Sequence, residues 1–102
     1  MLEDYVVIDL EMTGLNAKTD AILEVGAVRV RDGRQTETYG AILKCGRELS
    51  ERVVELTGIT PEMAADGREP EEVMQEFFTF LGDDVLVGQN VIFDYSFLKQ
   101  WA

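Results

Sequence analysis

The feature that most limits the fold is a pair of long strand-like segments joined by Asp32-Gly33. The segments Ile22 to Val30 and Gln35 to Leu43 carry many β-branched and aromatic residues. An Asp-Gly dipeptide between two such segments predicts a tight β-hairpin. The segment Tyr5 to Leu10 (Y-V-V-I-D-L) comes before them, and its β-branched run predicts burial on both faces, as in a central strand. The first 43 residues therefore predict an antiparallel meander of three strands.

The rest of the chain is predicted to be mainly helical. Capping residues and first-turn prolines predict helical segments that begin at Ser50, Thr60 and Pro70, and apolar spacing predicts another from Phe93 onward. Glycines end two of them, at Gly58 and Gly82, and Val85 to Val87 is predicted to be a short buried strand. Apolar residues at helical spacing predict the buried faces, namely Val73, Met74, Phe77, Phe78 and Leu81, followed by Phe97, Leu98 and Trp101. The predicted order is β-β-β-α-(α)-α-β-α, in one domain over residues 1–102.

The composition limits the chemistry that this chain can perform. It contains no histidine, which excludes Ser-His-Asp and Cys-His nucleophilic sites and a histidine-bound zinc within the chain. The only cysteine, Cys45, permits no internal disulfide and fits a reducing cytoplasm. The longest apolar runs are too short to span a membrane. Carboxylate chemistry with hard metals such as magnesium or manganese remains.

The formal net charge of −11 bears on possible partners. Such a chain repels phosphate at long range, whereas proteins that bind nucleic acid by charge alone are basic. Any phosphate chemistry would therefore need bound cations as the local positive charge. The alternative is that the charge only keeps the chain soluble.

Two carboxylates near the end of the first strand-like segment are candidate metal ligands. Asp9 and Glu11 are two residues apart, so they share one face of a strand, about 6–7 Å apart. At about 5 Å two such charges would repel by roughly 3 kcal/mol at an effective dielectric constant near 20. A divalent cation would convert this repulsion into binding energy. Alternatively, this end of the strand is exposed to solvent and both carboxylates are simply hydrated.

Asp94 is the third candidate ligand. It follows Gly88 and stands at the start of the last predicted helix, where an aspartate can simply favour the positive end of the helix dipole. Together with Asp9 and Glu11 it could instead hold a pair of metal ions about 3.5–4 Å apart. Such a pair suits in-line hydrolysis of a phosphodiester, because one ion activates water and the other stabilises the leaving oxygen.

Four segments resemble one family when they are taken together. D-L-E-M-T-G-L (Asp9 to Leu15) and G-Q-N-V-I-F-D-Y-S-F-L (Gly88 to Leu98) resemble the first two motifs of the DEDD, or DnaQ-like, exonuclease superfamily. This superfamily includes the proofreading epsilon subunit and related exonuclease domains of bacterial DNA polymerase III. I-L-E-V-G-A-V (Ile22 to Val28) and L-T-G-I-T-P-E-M (Leu56 to Met63) resemble the intervening pattern.

The resemblance implies an α/β, ribonuclease H-like fold and a 3′–5′ exonuclease that acts on single-stranded DNA or RNA 3′ ends. It implies that Asp9, Glu11 and Asp94 bind two Mg²⁺ or Mn²⁺ ions. It further implies a set of residues that contact the substrate: Met12, Thr13, Leu56, Ile59, Asn90 and Phe97. Ordinary packing is the alternative role for the last four of these.

Two departures from the family pattern affect the expected activity. Gln89 stands where many relatives have histidine, at a position that is not the catalytic base. The third motif, which supplies the general base and a fourth carboxylate, does not occur by residue 102. We therefore expect the last strand and helix of the fold to be missing, and the exposed sheet edge to invite a polymerase, a second chain or a swapped segment. The alternative function is a nuclease-derived module that binds metal or a protein partner without turnover.

Overall fold

The computed structural model describes residues 3–88 and 96–101. Its strands and helices follow the predicted order: β1 (Tyr5–Met12), β2 (Ile22–Arg31), β3 (Arg34–Ile42), α1 (Glu51–Thr57), α2 (Pro61–Ala65), α3 (Pro70–Leu81) and β4 (Leu86–Val87). Residues 96–99 are also helical. Within the described parts of the chain, no helix is both long enough and apolar enough to cross a bilayer.

The four strands form one mixed sheet in the order β3-β2-β1-β4. β1 pairs antiparallel with β2, β2 pairs antiparallel with β3, and β1 pairs parallel with β4. The predicted meander is therefore confirmed. The turn between β2 and β3 has φ of 51° at Asp32 and 73° at Gly33, as a type I′ hairpin requires, and aspartate and glycine are the residues that tolerate such angles.

The main core lies between one face of the sheet and α3. Along β1 the alternate residues Val6, Ile8 and Leu10 are buried, as the two-residue period of a strand requires. The buried residues of α3 are Val73, Met74, Phe77 and Leu81, and they join the same cluster. Phe78 is half-buried against it, so the predicted inner face of this helix is confirmed.

The opposite face of β1 is exposed, which contradicts the predicted burial on both faces. The side chains of Val7 and Val87 are 38% and 37% exposed, and Asp9 is exposed between buried neighbours. The sequence misled here because a β-branched run records strand propensity, whereas the number of covered faces depends on which elements pack against the strand. The candidate ligands therefore lie on an open surface.

The helices after β3 begin as predicted. The Ser50 and Thr60 hydroxyls accept from the backbone N–H groups of Val53 and Met63, and Gly58 ends α1 in the left-handed conformation. At the other end of the chain, Phe97 and Leu98 are buried, but Trp101 is 40% exposed, so the prediction that it lies in the core is wrong. The predicted start of the last helix, at Phe93, falls outside the described residues.

Candidate active site

Asp9 and Glu11 occupy the open face of β1. The strand extends to Met12, two residues beyond its predicted end, so both acids have regular strand geometry. Their backbones are fixed by antiparallel pairing, Asp9 opposite Gly26 and Glu11 opposite Glu24. Asp9 is exposed and Glu11 is half-buried. Two carboxylates on one face of a paired strand are accessible to a hydrated cation without movement of the backbone.

A row of glycines keeps the sheet surface beside Asp9 bare. Gly26 lies directly opposite Asp9, and Gly40 lies opposite Gly26 on the next strand. A Cβ built at Gly26 would meet only the Asp9 backbone oxygen, at 3.7 Å, which is ordinary contact. Internal packing therefore does not require glycine at this position. Its effect is to leave room on the face that carries the carboxylate.

Glu24 is an acidic residue of this surface that the sequence reasoning did not single out. It lies directly opposite Glu11 in the register of β1 and β2. Like charges at opposed positions destabilise a sheet, so this pairing makes the surface more favourable for a cation. Within residues 3–88 and 96–101, however, no group of three acidic, histidine or cysteine side chains is arranged to hold a metal ion. A third ligand for Asp9 and Glu11 would have to come from outside these residues.

The loop after β1 is held by the side chain of Asp20. The Thr13 hydroxyl donates to Asp20 Oδ1 (3.0 Å) and accepts from the Ala21 N–H (2.9 Å), while the Asn16 N–H donates to Asp20 Oδ2 (3.0 Å). The Thr13 N–H also donates to the Ala21 carbonyl oxygen (2.9 Å). These bonds hold the backbone of Thr13 two residues beyond Glu11. They also use the hydroxyl hydrogen of Thr13, so this side chain has no proton left to donate to a substrate.

Gly14, in the loop after β1, has a packing role. A Cβ at this position would lie 2.5 Å from Asp20 Oδ2, closer than carbon and oxygen can approach. The sequence reasoning did not identify Asp20 as a site residue. The available signal was an aspartate just before β2, seven residues after Thr13, but a polar loop of this kind contains several residues with equal capacity to accept a hydrogen bond.

The other residues predicted to contact substrate differ in exposure. Leu56 is 72% exposed on α1, and Met12 is half-buried against the main core. Ile59 and Phe97 are 1% and 2% exposed, Ile59 with Leu23 and Ala64, and Phe97 in the main core. Of the two candidates for a wedge against the terminal bases, Leu56 has the accessible side chain. Asp94, Asn90 and Gln89 lie outside the described residues.

Two arginines fix the segment that connects α3 to β4. Arg31 donates to Asp84 Oδ1 (2.8 Å), and Arg29 donates to Asp84 Oδ2 (3.2 Å), to Glu37 and to the Phe80 carbonyl oxygen. The hydrogen bond from Arg31 is the largest cause that lowers the pKa of Asp84, and the bond from Arg29 adds to it. The Arg29 guanidinium also lies over the Phe80 ring, 4.2 Å from its centroid. This cluster anchors the chain just before Gly88 and the second motif.

Comparison with known proteins identifies similar sequences over almost the whole chain. A family model described as "Exonuclease" (RNase_T) matches residues 6–102. The PolC-type DNA polymerase III of Thermotoga petrophila is 45% identical over 97 residues, and that of Bacillus subtilis is 43% identical over 97 residues. Each match covers 95% of this chain and 7% of the relative, so the chain spans a small part of these proteins.

Solved structures with the same fold include exonuclease I. Its apo structure matches 99% of this chain and 24% of its own, with a TM-score of 0.85 at 18% identity. The structure of E. coli exonuclease I in complex with a dT13 oligonucleotide matches 98% of this chain and 23% of its own, with a TM-score of 0.84 at 19% identity. These likenesses confirm the predicted α/β, ribonuclease H-like fold, and the family match confirms the resemblance to DEDD exonucleases.

Proposed function

This chain belongs to the exonuclease family, and we propose that it forms the metal-binding part of a 3′–5′ exonuclease. The reaction is hydrolysis of the terminal phosphodiester bond at the 3′ end of single-stranded DNA or RNA. Asp9, Glu11 and Asp94 are the proposed ligands of two divalent ions, Mg²⁺ or Mn²⁺. The relatives are DNA polymerases, so a polymerase, or a second chain that completes the fold, is the proposed protein partner. A cytoplasmic location stays a prediction.

The observation that carries this proposal is the placement of Asp9 and Glu11 side by side on an open sheet face. Carboxylate oxygens are the ligands that Mg²⁺ and Mn²⁺ prefer, and the glycine at position 26 leaves space beside Asp9. Histidine is absent from the chain and cysteine occurs once, so softer ligand sets are not available. When bound, two divalent ions supply an activated water and stabilise the leaving oxygen.

The residues beside the metal ligands orient the substrate. The loop held by Asp20 fixes the backbone of Thr13, so the main chain at Met12 and Thr13, rather than the Thr13 hydroxyl hydrogen, holds the terminal nucleotide. Leu56 projects from α1 and packs against the terminal bases. Ile59 and Phe97 support these surfaces from within the two cores. Asn90 is proposed to line the same cleft.

A second candidate function is a module that binds metal or a protein partner without turnover. It is favoured by the composition, since the 102 residues contain no histidine that could act as a general base. In this case the carboxylates bind ions or hold a neighbouring chain, and no hydrolysis follows.

Hydrolysis of end-labelled strands tests the proposed function. With Mn²⁺, a 3′-labelled single strand should release labelled mononucleotide before any shortening is visible at its 5′ end. Asp9→Asn should lower the rate at least about a hundredfold, because even groups that only support a metal ligand are worth about 10- to 100-fold. The control is Asp83→Asn, which changes an exposed acid in the turn after α3 and should leave the rate unchanged.

A parallel calorimetric titration with Mn²⁺ distinguishes the two candidate functions. Binding of Mn²⁺ that depends on Asp9, without release of nucleotide, supports the non-catalytic module. Hydrolysis that survives Asp9→Asn contradicts the proposed role of this residue. Release of label first from a 5′-labelled strand contradicts the proposed direction.

A further inference from the structure

The positive charges of this acidic chain are unevenly distributed. Its only three lysines are Lys18, Lys44 and Lys99, which are far apart in sequence. In the folded chain, all three line two adjoining clefts that both include residues of the loop after β1. The clefts share Ala17, Lys18 and Gln100, so they form one continuous surface. We call this surface, with Arg47, the basic cleft.

Among the described residues, no acidic side chain lines the first half of the basic cleft. Lys18 and Lys99 line it together with uncharged residues of the loop and of the last helical segment. Both lysine side chains are exposed, and among the described residues neither takes part in an ion pair. In a chain with 20 acidic residues, this described lining, with two cations and no carboxylate, provides a locally positive surface.

The described lining of the second half adds two further cations and one carboxylate. Lys44 lies 3.6 Å from Glu69 (Nζ to Oε1), but both side chains are more than half exposed, so this pair is weak. Arg47 donates to the Thr19 carbonyl oxygen, which holds it against the loop. The carboxylate is Asp20, whose two oxygens accept hydrogen bonds from Thr13 and Asn16. Trp101, 40% exposed, also lines this half.

The basic cleft begins in the loop that directly follows β1, the strand that carries Asp9 and Glu11. Lys18 belongs to the loop that begins immediately after β1, and Thr13 and Ala21 at the base of this loop are hydrogen-bonded to each other. A strand whose 3′ end reaches the carboxylates has its remaining phosphates outside the metal site, where the net charge of the chain repels them. A positive cleft with an exposed aromatic ring is the surface that single strands require.

We propose that the basic cleft binds the sugar-phosphate backbone of the strand on the 5′ side of the scissile bond. Lys18 and Lys99 contact phosphates, and Trp101 stacks on a base. The proposal rests on the proposed function, because it takes a single-stranded nucleic acid to be the substrate. It assigns to these residues a binding role that is separate from the metal ligands.

The test is binding of a 5′-fluorescein-labelled dT12 strand in EDTA, where no hydrolysis occurs. Lys18→Gln/Lys99→Gln should weaken binding roughly tenfold and reduce the slope of log affinity against log salt by about 1.4, since each phosphate contact with a single strand contributes about 0.7. Arg34→Glu is the matched control, because it also changes the net charge by two units. Arg34 lies in the β2–β3 hairpin, at the opposite end of the sheet.

Trp101 supplies an independent signal, since it is the only tryptophan of the chain. Its fluorescence should fall as dT12 binds, and the double lysine variant should need a higher strand concentration for the same decrease. Circular dichroism checks that each variant is folded. Equal weakening by Arg34→Glu, no effect of the lysine substitutions, or no salt-dependent binding by the unsubstituted chain would overturn the proposal. So would equally tight, lysine-dependent binding of poly-glutamate, which would indicate an acidic protein partner.

Failure of this proposal can be distinguished from failure of the proposed function. Strand binding in EDTA does not use the metal ligands, so Asp9→Asn should bind dT12 at least as tightly as the unsubstituted chain while its hydrolysis is lost. If strand binding depends on the lysines but the rate of hydrolysis is unchanged in Asp9→Asn, the basic cleft is supported and the proposed metal site is rejected. Loss of hydrolysis in Asp9→Asn without any effect of the lysines would do the reverse.

Discussion

At the scale of single residues, Asp20 links β1, which carries two proposed metal ligands, to the proposed substrate contacts. Its carboxylate accepts from the Thr13 hydroxyl and from the Asn16 backbone, and it occupies the space that a side chain at position 14 would need. The loop shape therefore depends on an acid and a glycine that fit each other. Both residues lie in the loop after β1, where they fix the backbone at Thr13.

The effects of substituting Gly14 and Asp20 on the free energy of unfolding should be non-additive. Asp20→Ala leaves two donors without their partner and should lower the free energy of unfolding by about 2 kcal/mol. Gly14→Ala should cost a similar amount, because its Cβ would displace the carboxylate. In Gly14→Ala/Asp20→Ala the collision is removed, so the combined loss should be clearly smaller than the sum.

Urea unfolding of the four forms measures this coupling, with Asp83→Ala as an exposed control that should shift stability by less than about 0.5 kcal/mol. Strictly additive losses would show that Gly14 and Asp20 do not interact as the structure places them. If the loop positions the substrate, Asp20→Ala should also raise KM for strand hydrolysis more than it lowers kcat.

At the scale of elements, features set by adjacent residues were predicted correctly, whereas features that depend on distant parts of the chain were not. The Asp32-Gly33 hairpin and the capped starts of α1 and α2 were predicted because a few adjacent residues determine each of them. The open face of β1 was not predicted, because the exposure of Val7 depends on whether elements from distant parts of the chain pack against it. For the same reason Trp101 was assigned to the core by its helical spacing alone.

The arginine cluster that anchors the α3–β4 connection should make stability depend on pH. The pKa of Asp84 is lowered in the folded chain, so the folded state binds fewer protons here than the unfolded state. The stabilisation is therefore fully present above the ordinary aspartate pKa and is lost as the pH falls through the lowered value. Asp84→Asn should reduce stability at pH 7, and its difference from the unsubstituted chain should shrink towards pH 3.

Urea unfolding at both pH values checks this prediction. Asp83→Asn is the control, since it changes the neighbouring acid in the same turn. The free energies of unfolding of Asp84→Asn and the unsubstituted chain could instead differ as much at pH 3 as at pH 7. That result would mean that the charge on Asp84 does not stabilise the α3–β4 connection.

At the scale of the whole molecule, some residues of the candidate site could be predicted from local spacing, whereas others come together only in the folded chain. Asp9 and Glu11 were predicted from two-residue spacing within a strand, and the structure places both on one open face. Glu24 was missed because its position opposite Glu11 follows from strand register, which no local pattern specifies. The basic cleft was missed for a related reason, since Lys18 and Lys99 are separated by almost the whole chain.

Removal of a charge from the acidic open face and binding of a metal ion to it should each stabilise the chain, because each relieves the repulsion between the carboxylates. Without metal, Asp9 and Glu11 repel each other on one strand, so Asp9→Asn should slightly raise the melting temperature in EDTA. With Mn²⁺ at about 100 times its Kd, binding to the folded state alone should stabilise the unsubstituted chain by about 2.7 kcal/mol. This corresponds to about 10–20 °C for a domain of this size, and Asp9→Asn should abolish the shift.

Thermal unfolding followed by circular dichroism, in EDTA and in Mn²⁺, gives all the required values. Asp83→Asn should keep the full metal-dependent shift, because its carboxylate lies in the turn after α3 and away from the open face of β1. The two effects of Asp9→Asn have one origin, the repulsion that a cation relieves when it binds. A variant that loses the Mn²⁺ shift but is also less stable in EDTA would show that Asp9 supports the fold by another route, and that the repulsion is not what the metal acts on.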